Sequence, residues 1–94
     1  QMCIRDRWES LRRIKEAGTG ILLVSHYLDE VEALADRLLY LVNGRQEFLG
    51  TQEEFRAYVK RKTQGEGWRE DMSLEKMYLL ISPKTNVVTM EGIL

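Results

Sequence analysis

A single histidine, His26, has the clearest chemical potential in this sequence. It follows the apolar run 21–24 (ILLV), which is typical of a strand covered on both faces in a parallel sheet. A helical pattern comes next, so His26 should lie at the carboxyl end of the strand, where open α/β sheets bind ligands. Ser25 adds a hydroxyl, and a helix start can donate backbone N–H groups to an anion. These features favour contact with a phosphate, although a lone histidine is more commonly a packed or surface residue.

Two adjacent acids, Asp29 and Glu30, could be mistaken for a magnesium-binding pair, because hard cations prefer carboxylate oxygens. Such a pair should directly follow an apolar strand, whereas other residues separate these acids from the run 21–24. The spacing places both carboxylates on a helix, where acids in the first turn suit the helix dipole. We therefore predict two surface acids and no metal site. The one cysteine, Cys3, cannot form an internal disulfide.

Length, charge and hydropathy restrict the class of protein. A chain of 94 residues can form one small domain or part of a larger one. Its 14 basic and 15 acidic residues give a formal net charge of -1, which argues against a general nucleic-acid binder. No apolar run approaches the length that crosses a bilayer, so we expect no direct membrane insertion.

The first seven residues, 1–7 (QMCIRDR), differ from the rest. They lack helical periodicity and are too charged for the apolar region of a signal peptide. Translated back into codons, all of them fit the transposon-end adapter used in sequencing libraries. We therefore predict a non-native leader, in which Cys3 has no chemistry. The remaining chain is predicted to divide into an α/β region at 8–60, a polar linker at 61–72, and a helix with a tail at 73–94.

The predicted order of elements from Trp8 is α-β-α-β-β-α, with one further helix near the C-terminus. Asn43-Gly44 favours a two-residue hairpin turn, and Thr51 with Glu54 predicts a capping box for the helix that follows. Ser73 predicts an N-cap for the last helix. A short strand is predicted at 86–90, with no assigned role. The first helix and its following strand form half of a βαβ crossover whose first strand is missing. The fold class is therefore α/β, and the sequence looks cut rather than complete.

The stretch 21–45, with the turn and helix that follow, resembles the switch-histidine segment of ATP-binding-cassette ATPases. The close match extends from Trp8 to about Lys60. For one matching pair, Asp36-Arg37, a simple charge pair at a helix end is the preferred interpretation. The matching residues are Ile21–His26, Tyr27, Glu30, Glu32-Ala33, Asp36-Arg37, Asn43–Arg45, Gly50-Thr51 and Glu53–Phe55.

This resemblance implies a partial P-loop NTPase-type sheet and a role for His26 as the switch histidine (H-loop), which contacts the γ-phosphate of ATP. It also implies ATP and Mg as cofactors of the intact parent. The implied partners are a second nucleotide-binding subunit, which completes a dimer, and a membrane permease. The location would be cytoplasmic, at the inner face of the cell membrane. Tyr27 and the helix that begins at Ser73-Leu74-Glu75 are similar to the branch that drives export.

Other motifs of this family are absent from the 94 residues. A P-loop needs Gly-Lys-Ser/Thr to surround the phosphates, yet no lysine here follows a glycine. The Leu-Ser-Gly-Gly-Gln signature and the magnesium-binding acid are missing too. We therefore expect the chain alone to be inactive, whereas the intact parent would couple MgATP hydrolysis to export. Two alternatives stay open: a self-standing protein-interaction module in which His26 is structural, and another phosphate-using α/β enzyme.

Overall fold

The computed structural model describes residues 4–24, 27–82 and 88–94. The described chain is a mixed α/β structure, and its element order confirms the predicted α-β-α-β-β-α pattern and the helix after it. The last strand overlaps the short one predicted at 86–90. The elements are α1 Ile4–Glu16, β1 Leu22–Val24, α2 Leu28–Leu34, β2 Arg37–Val42, β3 Arg45–Thr51, α3 Gln52–Thr63, α4 Leu74–Ile81 and β4 Val88–Ile93.

The four strands form one sheet in the order β1-β4-β2-β3, and each pair in it is antiparallel. The expectation of a parallel strand at 21–24, covered on both faces, is therefore wrong for the described sheet. β1 lies at the sheet edge, where Leu23 is buried but Leu22 and Val24 are 61% and 60% exposed. Because all three side chains are apolar, the sequence could not show this alternation of buried and exposed positions.

β4 occupies the middle of the sheet, although the sequence predicted only a short strand at 86–90. It pairs with β1 on one side and β2 on the other, and mutual backbone bonds between Ile21 and Leu94 extend the first ladder. Gly92 permits close approach of α2: a Cβ there would lie 3.1 Å from the Cβ of Ala35 and 3.2 Å from Cγ1 of Val31. The position of this strand thus depends on tertiary contacts, which its local pattern does not show.

Local signals in the sequence set the turns and helix starts. Asn43 and Gly44 have φ angles of 52° and 77°, the left-handed values required by the predicted hairpin turn. The predicted capping box is present, because the Thr51 side chain accepts from the Glu54 N–H and the Glu54 side chain accepts from the Thr51 N–H. The side chain of Ser73 likewise caps α4. These three predictions are confirmed.

The core lies on one face of the sheet, called here the inner face, against α2, α3 and α4. Strands contribute Leu23, Leu38, Tyr40 and Met90, while the helices contribute Val31, Leu34, Phe55, Val59, Leu74 and Met77. Tyr40 is central: its ring packs edge-on against Phe55 and Tyr78, and its hydroxyl lies 3.1 Å from that of Ser82. Burial raises the pKa of Tyr40.

Two helix boundaries differ from the prediction. α1 begins at Ile4, inside the predicted leader 1–7, because charged residues are compatible with an exposed helical turn. α3 continues to Thr63, into the predicted linker, and ends where Gln64 adopts a left-handed φ of 56°. In the part of the chain that the structure describes, no helix has the length and apolar character to span a membrane.

Candidate functional site

Ser25 and His26 lie outside the described residues, so the phosphate contact of His26 stays a prediction. The elements on both sides are defined, because β1 ends at Val24 and α2 begins at Leu28. The described part of the site is therefore the set of contacts that hold α2 in place. This helix has 7 residues, too few to be stable without tertiary contacts.

One end of α2 is joined to α1 through a buried acid. Glu30 is fully buried, its Oε2 accepts a 3.2 Å hydrogen bond from Nε1 of Trp8, and its Oε1 lies 3.1 Å from Nη2 of Arg7. The prediction of two surface acids is thus wrong for Glu30, although Asp29 is exposed. The sequence spacing could have indicated this burial, because Glu30 lies one helical turn before the buried Leu34 and both share a helix face. A buried carboxylate needs such partners.

The other end of α2 is capped by α3. Nε2 of Gln52 donates to the backbone carbonyl of Glu32 at 2.9 Å and to that of Ala35 at 3.0 Å. The last carbonyls of a helix lack partners within the helix, so a side-chain donor stabilises this end. Gln52 is itself the first residue of α3, and the cap therefore ties the end of one helix to the start of another.

A second acid, Glu32, joins α2 to α4. Its Oε1 accepts a 3.3 Å hydrogen bond from the backbone N–H of Leu74 and lies 3.7 Å from Nη2 of Arg56. Arg56 also donates from Nη1 to the carbonyl of Met72 at 2.7 Å. Sequence reasoning missed these contacts. No local signal predicts them, because the partners are far apart in the chain.

Asp36 follows the end of α2 and is exposed. Its carboxylate lies 2.6 Å from Nζ of Lys15 on α1, and its N–H donates to the carbonyl of Ile93 at 3.0 Å. These contacts give Asp36 a structural role at the junction of α1, α2 and β4. Among the described residues, no group of three or more histidine, cysteine or acidic side chains could hold a metal ion.

Comparison with curated proteins decides the family. Human phospholipid-transporting ATPase ABCA3 is 30% identical over 78 residues, which make up 77% of this chain and 5% of that protein. Daunorubicin/doxorubicin resistance ATP-binding protein DrrA of Streptomyces peucetius is 40% identical over 50 residues, 53% of this chain and 15% of that protein. The chain belongs to the ATP-binding-cassette ATPases. This confirms the resemblance read from the sequence.

Another member of this ATPase family, the fructose import ATP-binding protein FruK of Bifidobacterium longum, is 40% identical over 42 residues. That stretch makes up 45% of this chain and 8% of FruK. The chain thus spans between 5% and 15% of the length of these three relatives. No protein-family model matches the chain, and no solved structure matches it.

Proposed function

We propose that this chain forms the switch-histidine part of an ABC ATPase, and that His26 contacts the γ-phosphate of ATP. The observation that carries the proposal is the place of His26 in the chain, between the end of β1 at Val24 and the start of α2 at Leu28. In the resemblance to ATP-binding-cassette ATPases, the switch histidine lies at this point, after the apolar run 21–24 and Ser25. A neutral imidazole can donate to a phosphate oxygen without adding a full charge.

The intact ATPase would bind ATP and Mg in a dimer with a second nucleotide-binding subunit and couple hydrolysis to a membrane permease. ATP binding is supported by the names of FruK and DrrA, both of which are called ATP-binding proteins. The chain would act at the cytoplasmic face of the membrane through that permease. We propose that the 94 residues alone are inactive, because the P-loop, the signature and the magnesium-binding acid are not among them.

Export is the direction we propose, on the resemblance carried by Tyr27 and the helix that begins at Ser73-Leu74-Glu75. The names of the relatives include phospholipid transport, drug resistance and fructose import, so they do not select a direction. We also keep the division of the chain into a non-native leader at 1–7, an ATPase part at 8–60, a linker at 61–72 and a C-terminal helix and tail at 73–94.

A chimera tests the role of His26. Residues 8–94 would replace the aligned stretch of DrrA and everything after it, and ATP hydrolysis and ATP binding would be measured. We expect an active chimera in which His26→Ala lowers hydrolysis by about 100-fold, a typical cost of losing one hydrogen bond to a developing charge. ATP binding should remain. Glu53→Ala, at an exposed position on α3, is the matched control. Unchanged hydrolysis in the His26 variant would instead favour a structural histidine in an interaction module.

A further inference from the structure

The start of α4 is held at two adjoining points, one on α2 and one on α3. Glu32 on α2 accepts the N–H of Leu74, the first residue of α4, at 3.3 Å. Arg56 on α3 donates to the carbonyl of Met72 at 2.7 Å, and its other terminal nitrogen lies 3.7 Å from the same Glu32 oxygen. One carboxylate oxygen thus faces both a helix start and a guanidinium.

These contacts lie at the rim of the core, where they can fix the orientation of α2. The side chains of Glu32 and Arg56 are 33% and 32% exposed, so water weakens each single interaction. Beneath them, Val31 and Leu74 are buried in the shared core. Apolar packing is not directional, whereas the hydrogen bonds to Leu74 and Met72 are. The polar bridge therefore supplies the directional part of the contact between α2 and α4.

We propose that Glu32 and Arg56 are positioning residues, through which α4 sets the placement of α2 and hence the activity of His26. The inference rests on the proposed function of His26. The link is short, because α2 begins at Leu28 and is only 7 residues long. Because α2 is so short, a displacement at Glu32 should move the whole helix, including its start at Leu28. In this proposal, α4 contributes to the activity of the ATPase.

The full 94-residue chain offers a direct readout, because His26 is its only histidine. In a proton NMR spectrum, we expect Glu32→Ala to shift or broaden the Cε1–H resonance of His26. Glu32→Gln should leave it close to the original position, because the amide oxygen can still accept the Leu74 N–H. Glu53→Ala is the control for losing a carboxylate on the surface. A His26 resonance that is the same in Glu32→Ala and Glu53→Ala would overturn the proposal.

The DrrA chimera gives the kinetic test. Glu32→Ala should lower kcat by about 10-fold and leave the KM for ATP unchanged, since a misplacement of about 1 Å caused by a distant substitution can cost up to about 100-fold in rate. Arg56→Gln should act in the same direction, and Glu32→Gln should restore most of the rate. In a His26→Ala background, Glu32→Ala should have no further effect on kcat.

The outcomes separate this inference from the proposed function. If His26→Ala leaves hydrolysis unchanged, the proposed function fails. If His26→Ala lowers hydrolysis but Glu32→Ala and Arg56→Gln behave like the Glu53→Ala control, only the positioning role fails. An equal loss from Glu32→Ala with and without His26 would show a general effect on folding and would also overturn the positioning role.

Discussion

The indole Nε1 of Trp8 donates a 3.2 Å hydrogen bond to Oε2 of Glu30, a carboxylate with no exposed surface. This bond joins α1 to α2 across 22 positions of the chain. No residue of α1 is itself buried, so the helix is held by such partly buried contacts. Arg7 also pairs with Glu30 but belongs to the stretch that we predict to be non-native. Trp8 is therefore the important partner within 8–60, the proposed ATPase part of the chain.

Trp8→Phe should destabilise the chain by about 1–3 kcal/mol, because it leaves a buried acceptor without its donor. The measurement is urea unfolding followed by circular dichroism. Trp68→Phe is the matched control, since the buried Nε1 of Trp68 has no hydrogen-bond partner among the described residues. Trp68→Phe should lower the free energy of unfolding by less than Trp8→Phe does. Similar losses in the two variants would mean that ring volume, and not the bond to Glu30, sets the stability.

Glu54 should make the stability depend on pH. The backbone N–H of Thr51 donates to its carboxylate and the Thr51 hydroxyl lies beside it, and both lower the pKa of Glu54 below its usual 4.5. A carboxyl group whose pKa is lowered on folding stabilises the folded chain at pH values above its usual pKa. This stabilisation is lost as the pH falls through the lowered pKa. Chemical unfolding between pH 7 and pH 2–3 measures it.

Glu54→Gln should remove part of the acid-induced loss of stability, so its curve against pH should be flatter than that of the original chain. Glu53→Gln, in the same helical turn but outside the capping box, is the control. If both variants flatten the curve equally, the general charge of the helix start is responsible and the specific bonds from Thr51 are not.

A glycine is required at position 44 because of its backbone conformation, and not because neighbouring atoms leave too little room for a side chain. Its φ is 77°, and a Cβ there would meet nothing within 4 Å. Gly44→Ala should therefore cost about 1–2 kcal/mol from left-handed strain alone. Gly20 is the matched control, because its surroundings are equally open but its φ is not in the left-handed range. Gly20→Ala should be neutral or slightly stabilising. Thermal melts of both variants test the difference, and equal effects would contradict it.

The sequence predicted those features that depend on neighbours in the chain. The Asn43-Gly44 turn, the Thr51 cap and the Ser73 cap each require only a few adjacent residues, and all three are present. Features that depend on distant partners were missed or wrong. Glu30 looked like a surface acid because its partner Trp8 is 22 positions away, and the central place of β4 follows from strands on both sides.

The outer face of the sheet, opposite the core, should make the chain self-associate. Its apolar residues are Leu22, Val24, Leu39, Leu41, Leu49 and Ile93, and the charged Glu91 lies between Val24 and Leu39. Leu22 and Val24 also lie on the open edge strand, where an apolar surface and unpaired backbone groups favour association. Sedimentation at increasing concentration should show oligomers. The double variant Leu22→Lys/Val24→Lys should shift the chain to monomer, whereas Leu79→Lys on α4 should not; equal behaviour would contradict a role for this face.

The 94 residues alone should not bind MgATP at micromolar concentration. Such affinity needs about 8 kcal/mol of binding free energy, whereas one hydrogen bond from His26 supplies only about 1 kcal/mol. The lysine and backbone amides that cradle phosphates in a P-loop are absent from the sequence. Titration calorimetry on the chain should therefore give only heats of dilution, with DrrA measured in parallel as a positive control. A micromolar isotherm that disappears in His26→Ala would show instead that the chain contains a complete nucleotide site.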